Sequence, residues 1–449
     1  MTHPFLALTE SDREEMLRTI GVSSVDELFR DLPAGVRFGR DLDLEPPLSE
    51  QELSAHLAEL AARNVDTTRE LSFLGAGIYD HYVPAVVDTV LQRGEFLTAY
   101  TPYQPEMSQG VLQSIFEYQT AICELTGMDV SNASGYDGET VAADACYIAK
   151  HATGKTKIVI TEATNPQVRQ VIKTYAPGFG LEVVEVPHRD GVTDPDTLAA
   201  AAKDAAAVFF QQPNFFGCLE PAPELAAAAN DADALSIAHV DPLSLGMLEA
   251  PGRYGCAIAL GEGQAAGNVM AYGGPHYGFL AARQEFIRRM PGRIVGETVD
   301  TEGKRGYVLT LQTREQHIRR EKATSNITTN QTLLALGGLV YLTWLGPQGL
   351  REVGETCLAL AEHAKRRLQE RAGLELLFAD QPTFKEFAVR VGRNARDVVR
   401  DARALGVHPG YALGRDYEGM DDVLLVAVTE KRTPEEIDRL ADVLAEVAR

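Results

Sequence analysis

Apolar residues recur along this chain in two ways, as stripes of helical period and as short continuous runs, and their order outlines a fold. Three short helical patterns come first. Ser11 is placed to cap Asp12–Ile20 before Gly21, Ser24 to cap Val25–Leu32 before Pro33, and Ser49 to cap Glu50–Asn64. The proline-containing stretch 41–48 between them reads as extended linker. Residues 1–65 are therefore expected to form a helical arm rather than a domain with its own core.

Beyond the arm a long helix is predicted over Glu106–Thr126, closed by Gly127. Helices and strands then alternate. Gly138–His151, Pro166–Tyr175, Pro195–Lys203 and Pro221–Asn230 carry helical patterns. Lys157–Glu162, Leu181–Pro187, Ala206–Gln211, Leu235–Val240, Ala257–Leu260 and Tyr277–Ala281 are strand-like runs. Such alternation predicts βαβ units and a mostly parallel sheet covered on both faces, an α/β domain over 66–330. After Asn330 the pattern changes. Helical stretches Gln331–Trp344 and Leu350–Ala372 lead to strands at Leu374–Ala379, Phe384–Val391 and Val423–Val428, with helices Ala395–Ala404 and Pro434–Ala448. That predicts a small C-terminal α+β domain over 331–449.

Charge and composition narrow the function. The 449 residues carry a formal net charge of −22, which argues against nucleic acid, whose phosphates demand a basic footprint. No apolar run approaches the ~18 residues of a membrane span. The start lacks the basic-then-apolar plan of a signal peptide, so a cytoplasmic protein is expected. The five cysteines (Cys123, Cys146, Cys218, Cys256, Cys357) are never spaced as a metal or redox pair, and they read as buried thiols; no metal site is expected.

No hydrolase elbow, zinc-protease helix or nucleotide phosphate loop is present, and Leu74-Gly-Ala-Gly77 reads as a tight turn. Four segments stand out instead. Tyr100-Thr-Pro-Tyr-Gln-Pro-Glu-Met-Ser-Gln-Gly110 holds polar groups on a proline-stiffened loop, suited to a ligand or partner, or else an ordinary helix entry. Asn132-Ala-Ser-Gly-Tyr-Asp-Gly-Glu-Thr140 opens a helix where a phosphate could sit. Asp137 and Glu139 already place negative charge there, so capping is the better reading. His239 and Asp241 end a strand, where ligands of doubly wound sheets gather. There Asp241 could face a pyridinium nitrogen, or both could hydrogen-bond structurally. Gly261-Glu-Gly-Gln264 follows the next strand and runs to Gly-Gly-Pro275, where a pyridoxal phosphate (PLP) enzyme of this layout places its Schiff-base lysine. Residues 204–303 contain no lysine, and the amide of Gln264 cannot form that bond.

Tyr100-Thr-Pro-Tyr-Gln, Asn132-Ala-Ser, Gly261-Glu-Gly-Gln and above all Gln312-Thr-Arg-Glu-Gln-His-Ile-Arg-Arg-Glu-Lys-Ala-Thr-Ser-Asn-Ile327 resemble glycine dehydrogenase (decarboxylating), the P-protein of the glycine cleavage system, and within it subunit 1, the α chain of the two-subunit bacterial form. The resemblance spans nearly the whole chain. It implies the PLP-dependent transferase fold type I and an α2β2 assembly. The β subunit would hold PLP on a lysine that precedes a Gly-Gly-Pro segment; counting back from Pro275 places Gln264 at that lysine's position. The complex would decarboxylate glycine and pass its aminomethyl group to the lipoyl arm of H-protein. Ser134, Asp137, His239, Asp241 and Gln264 would then form a degenerate cofactor site. Tyr100, Tyr103, Gln104, Ser108, Gln109, Arg314, Lys322, Ser325 and Asn326 would be candidates for the partner's active site or the interface. Arg314, Arg319, Arg320 and Lys322 could meet a carboxylate, a cofactor phosphate or an acidic partner, or pair with the chain's own acids. Two other functions stay open: an independent PLP enzyme using Lys304 or Lys322, and a purely structural or regulatory subunit.

Overall fold

A computed structural model describes residue 5 and residues 7–100, 102–323, 327 and 329–448. The chain divides into two compact units, Met1–Val65 and Asp66–Arg449. In the first unit Thr9, not Ser11, caps the opening helix Glu10–Ile20. Its side chain accepts from Asp12 N while the Asp12 carboxylate returns to Thr9 N. Ser49 makes the same box with Glu52 ahead of the helix Glu50–Ala61. Val25–Phe29 is only a 3-10 turn, and Ser24 makes no capping bond there. Neither α-helix of this unit buries a residue.

The second unit is organised by a seven-stranded sheet. Its strands are β1 (Val130–Ser131), β2 (Lys157–Thr161), β3 (Glu182–Val186), β4 (Ala205–Gln212), β5 (Leu235–Val240), β6 (Ile258–Glu262) and β7 (Gly278–Ala282), in the order β1-β7-β6-β5-β4-β2-β3. Strands β3, β2, β4, β5 and β6 are parallel, and β7 runs antiparallel to both neighbours. Strand β4 is buried along nearly its whole length, as expected where helices cover both faces. One face packs Val159, Val208, Phe210 and Phe279 against the helices Gln109–Thr126 and Ala222–Asp231. The other packs Ile158, Ile160, Phe209 and Leu280 against the helix Gly138–Thr153. A hairpin, Ile294–Val299 with Arg305–Thr310, extends the unit; no sequence pattern announced it.

The two helical stretches after Asn330 run from Thr332 to Arg367 and are separated by non-helical Gly346 (φ 60°) before Pro347. Among the described residues this helix, continued to Ala372, is the one long and apolar enough by composition to cross a membrane. Its mean hydropathy reaches that level where no unbroken apolar run does. Ala335, Leu336 and Leu339 pack into the core of the large sheet, which accounts for the stripe. A four-stranded antiparallel sheet follows, in the order Glu375–Leu376, Glu386–Arg390, Val423–Ala427, Tyr411–Ala412. The helices Ala395–Arg403 and Pro434–Val447 cover it.

Candidate functional site

At the carboxyl ends of β5 and β6 lie His239, Asp241, Glu262 and Gln264, where the topology gathers ligands. The helix Gly138–Thr153 points its N-terminus at the same place. Asp137 caps that helix, its Oδ1 accepting from Thr140 N at 2.7 Å, and Glu262 Oε2 accepts from Gly138 N at 2.9 Å. Two of the N–H groups that could bind an anion are therefore held by the chain's own carboxylates. Gly138 leaves no room beyond that, since a Cβ there would press on the backbone and Cβ of Glu262. Burial pushes the Glu262 carboxyl up to about 8, and Glu139 also upward.

Gln264 is buried and fully engaged. Its Oε1 accepts from Tyr79 N at 2.9 Å, and its Nε2 donates to Tyr79 O at 3.0 Å and Asn268 O at 2.8 Å. The amide thus clamps a strap, residues 73–82, across the mouth of the site. The turn within the strap needs positive φ at Ala76 and Gly77 (61° and 111°). The far side of the strap is held by the C-terminal strand Glu386–Arg390 and by residues after Ala427. Glu386 accepts from Ala76 N at 2.7 Å and from the Tyr79 hydroxyl at 2.6 Å. Asp80 pairs with Lys431 at 2.6 Å and Arg432 at 3.2 Å. Thr429 donates to Asp80 O at 2.8 Å, and Glu430 accepts from Tyr82 N at 2.7 Å.

Between strap and sheet sits a side chain that the sequence pattern did not single out. Lys385, 2 % exposed, places Nζ 2.5 Å from Asp241 Oδ2 and 3.5 Å from the centre of the Tyr79 ring. It also lies 2.9 Å from His81 Nε2. An ammonium can only donate, so Nε2 of His81 accepts, and the ring carries its proton on Nδ1, 2.6 Å from Glu430 Oε2. Burial, reinforced by Lys385, lowers the His81 pKa and keeps that ring neutral. Burial alone would raise Asp241, but the Lys385 ammonium outweighs it and holds the carboxyl below its ordinary value. His81, Cys357 and Glu430 bring three potential ligand atoms within 4.8 Å of one another. Both His81 nitrogens are committed to Lys385 and Glu430, so the cluster is part of a hydrogen-bonded network.

His239 is the exception in this network. Its ring is buried, neither nitrogen has a partner among the described residues, and burial lowers its pKa to about 4. It lines a cavity of about 30 Å³ beside Tyr79, Glu139, Asp241 and Glu262. That is room for one or two waters, against the ~150 Å³ that takes up a benzene ring. The residues present do not fit PLP. Position 264 offers no amine, the carboxylate suited to a pyridinium is paired internally, the helix N-terminus is capped by carboxylates, and the cavity beside His239 is too small for a ring.

The second group of sequence candidates lies around the start of the helix Gln109–Thr126. Tyr103 donates to Asn330 Oδ1 at 3.0 Å, and the Arg293 guanidinium stacks on its ring at 4.1 Å. Asn330 in turn donates to Ser134 Oγ at 2.7 Å and Ala133 O at 3.1 Å, joining the Tyr100 and Asn132 segments. Gln109 bonds both the N–H and the C=O of Tyr307 and ties the helix to the hairpin. Ser108 sits at the N-cap position without a side-chain bond. Tyr100, Gln104 and Lys322 are exposed. Arg314 is not a free cation. It is buried and donates to the carbonyls of Leu311, Met290 and Gly292, so it ties its own loop to residues 290–292. Ser325 and Asn326 lie outside the described residues. Lys385, Tyr79, Glu386 and Asn330 escaped the sequence reading; Asn330 appeared there only as a boundary.

The family model for the glycine cleavage system P-protein matches residues 3–444. The chain belongs to this family. It is 50% identical over 437 residues to a protein named probable glycine dehydrogenase (decarboxylating) subunit 1 from Moorella thermoacetica, covering 97% of this chain and 98% of the relative. A protein of the same name from Bacillus cytotoxicus is 50% identical over 443 residues, covering 98% of this chain and 99% of the relative. A crystal structure of glycine decarboxylase (P-protein) of the glycine cleavage system, in inhibitor-bound form, superposes with a TM-score of 0.90 at 43% identity. It covers 99% of this chain and 100% of that one. Cysteine desulfurase from Thermococcus onnurineus (TM-score 0.63, 15% identity, 85% of this chain and 95% of that one) shares the fold alone. The fold of this P-protein-family chain is thus that of the fold type I PLP enzymes.

Proposed function

We propose that this chain is the α subunit of a two-subunit P-protein, the half that carries no PLP, and that with its β partner it decarboxylates glycine and delivers the aminomethyl group to the lipoyl arm of H-protein. The observation that supports this reading most is that the amide of Gln264, the residue the family resemblance sets at the lysine's position, is spent on the backbone of Tyr79. In the proposed α2β2 complex, a cytoplasmic assembly, the β lysine holds PLP. The α chain supplies a wall of the neighbouring site. Tyr100, Gln104 and Lys322 face the partner, Ser325 and Asn326 are further candidates for the same contact, and Tyr103, Ser108, Gln109 and Arg314 fix the segments that carry them.

Coexpression with the β chain tests this. Gel filtration is expected to give a single complex containing both chains. Glycine/bicarbonate exchange is expected from the complex and from neither chain alone. Full exchange activity in the β chain by itself would reduce the α chain to a scaffold, and activity in the α chain by itself would refute the assignment.

A further inference from the structure

The pseudo-site is closed by a cation from the far end of the chain. Asp241 directly follows β5, and its carboxylate is turned to Lys385 Nζ, which arrives from the C-terminal sheet immediately before the strand Glu386–Arg390. The same ammonium lies over the face of Tyr79, a placement that attracts cations, and donates to His81. Three independent acceptors thus converge on one seat: a carboxylate, a ring face and an imidazole nitrogen. An Asp at a strand end facing an aromatic strap is an arrangement that receives an organic cation such as a protonated ring nitrogen. Here the occupant is covalently part of the chain.

We infer that Lys385 is an internal substitute ligand: its ammonium occupies the cation seat of the degenerate site and ties the C-terminal sheet to β5 and the strap. This rests on the reading of the chain as the subunit without PLP and adds what took the cofactor's place. Two consequences follow. The seat has to be filled, because the Asp241 side chain is only 12 % exposed and a largely desolvated carboxylate left without its cation is strongly destabilising. Once vacated, it will select small primary alkylammonium ions over neutral molecules of the same shape, because all three acceptors call for a donor with positive charge.

The test uses the full-length chain and follows its unfolding midpoint. Lys385→Ala is expected to lower the midpoint by roughly 5 °C or more. n-Propylammonium chloride, which restores the deleted atoms, is expected to recover at least half of that loss. n-Propanol at the same concentration is expected to recover none, and wild type to respond to neither. If Lys385→Ala yields no folded protein, Lys385→Met and Asp241→Asn are compared with the double variant. The double variant is expected to lose clearly less than the sum of the two singles. Equal rescue by alcohol and ammonium, a Lys385→Ala variant as stable as wild type, or strict additivity in the double variant would each overturn the inference. An inactive wild-type αβ complex would instead refute the functional reading and leave these stability results unchanged.

Discussion

Glu386 provides the sharpest test of the electrostatics around the strap. It is buried, accepts from Ala76 N and the Tyr79 hydroxyl, and sits beside Lys385 in sequence. Burial raises its carboxyl from an ordinary 4.5 to about 7, although both hydrogen bonds pull the other way. A raised carboxyl pKa means the folded state favours the protonated form. Its stabilising effect is therefore complete below pH 4.5 and is lost as pH rises through 7. The interval of 2.5 pH units, at 1.36 kcal/mol per unit, sets a ceiling of about 3.4 kcal/mol. Glu386→Gln can keep both contacts, with Oε1 accepting from Ala76 N and Nε2 donating to the Tyr79 oxygen, but it cannot ionise. Urea unfolding of the two proteins between pH 5 and pH 8 measures the effect. The variant should gain on wild type as pH rises, by roughly 1–3 kcal/mol across that range. Stability curves that stay parallel from pH 5 to pH 8 would show that Glu386 does not titrate there and that the argument from burial fails.

Tyr103→Phe, Gln104→Ala and Lys322→Ala are expected to leave assembly with β intact by gel filtration while lowering exchange activity. For Gln104 and Lys322, loss of one hydrogen bond to a charged group is worth ~1.5–3 kcal/mol, or roughly ten- to a hundredfold in rate; Tyr103→Phe loses a bond to the neutral amide of Asn330, worth ~0.5–1.5 kcal/mol and at most roughly tenfold in rate. Full activity in all three would make the segment structural. Gly217→Ala combines a φ of +82° with a Cβ driven into the Glu386 backbone, so soluble yield should collapse, and a stable soluble variant would contradict the packing described. Gln264→Lys should give no borohydride-trapped adduct with PLP, because Asp137 and Glu262 still hold the helix N-terminus and Lys385 still holds Asp241. Stoichiometric trapping at position 264 would show that these groups yield easily.

The parallel sheet was legible in the sequence because each βαβ unit declares itself locally. Runs such as Leu235–Val240 are mostly apolar, and the helices beside them carry prolines and caps at their starts. The lysine-free span 204–303 was legible too, since lysines can be counted. Lys385 was not. Its meaning depends on Asp241 and Tyr79, which the fold brings to it from far along the chain, and nothing in the apolar run around it marks a buried charge. Arg314 failed in the opposite sense. Its neighbours made it look like a free basic patch, whereas the backbone carbonyls that occupy it belong to a loop whose course no local pattern describes. At the first helix Ser11 was expected as the cap, but Thr9 takes that place. The partner carboxylate of Asp12, three residues after Thr9, decided between them.

The division of labour between the subunits is tested most directly by reducing the purified αβ complex with borohydride in the presence of PLP and locating the phosphopyridoxyl lysine by peptide mass spectrometry. One equivalent on each β chain and none on any α-chain peptide is the predicted result. A stoichiometric adduct on any lysine of this chain, Lys304, Lys322 and Lys385 included, would contradict it.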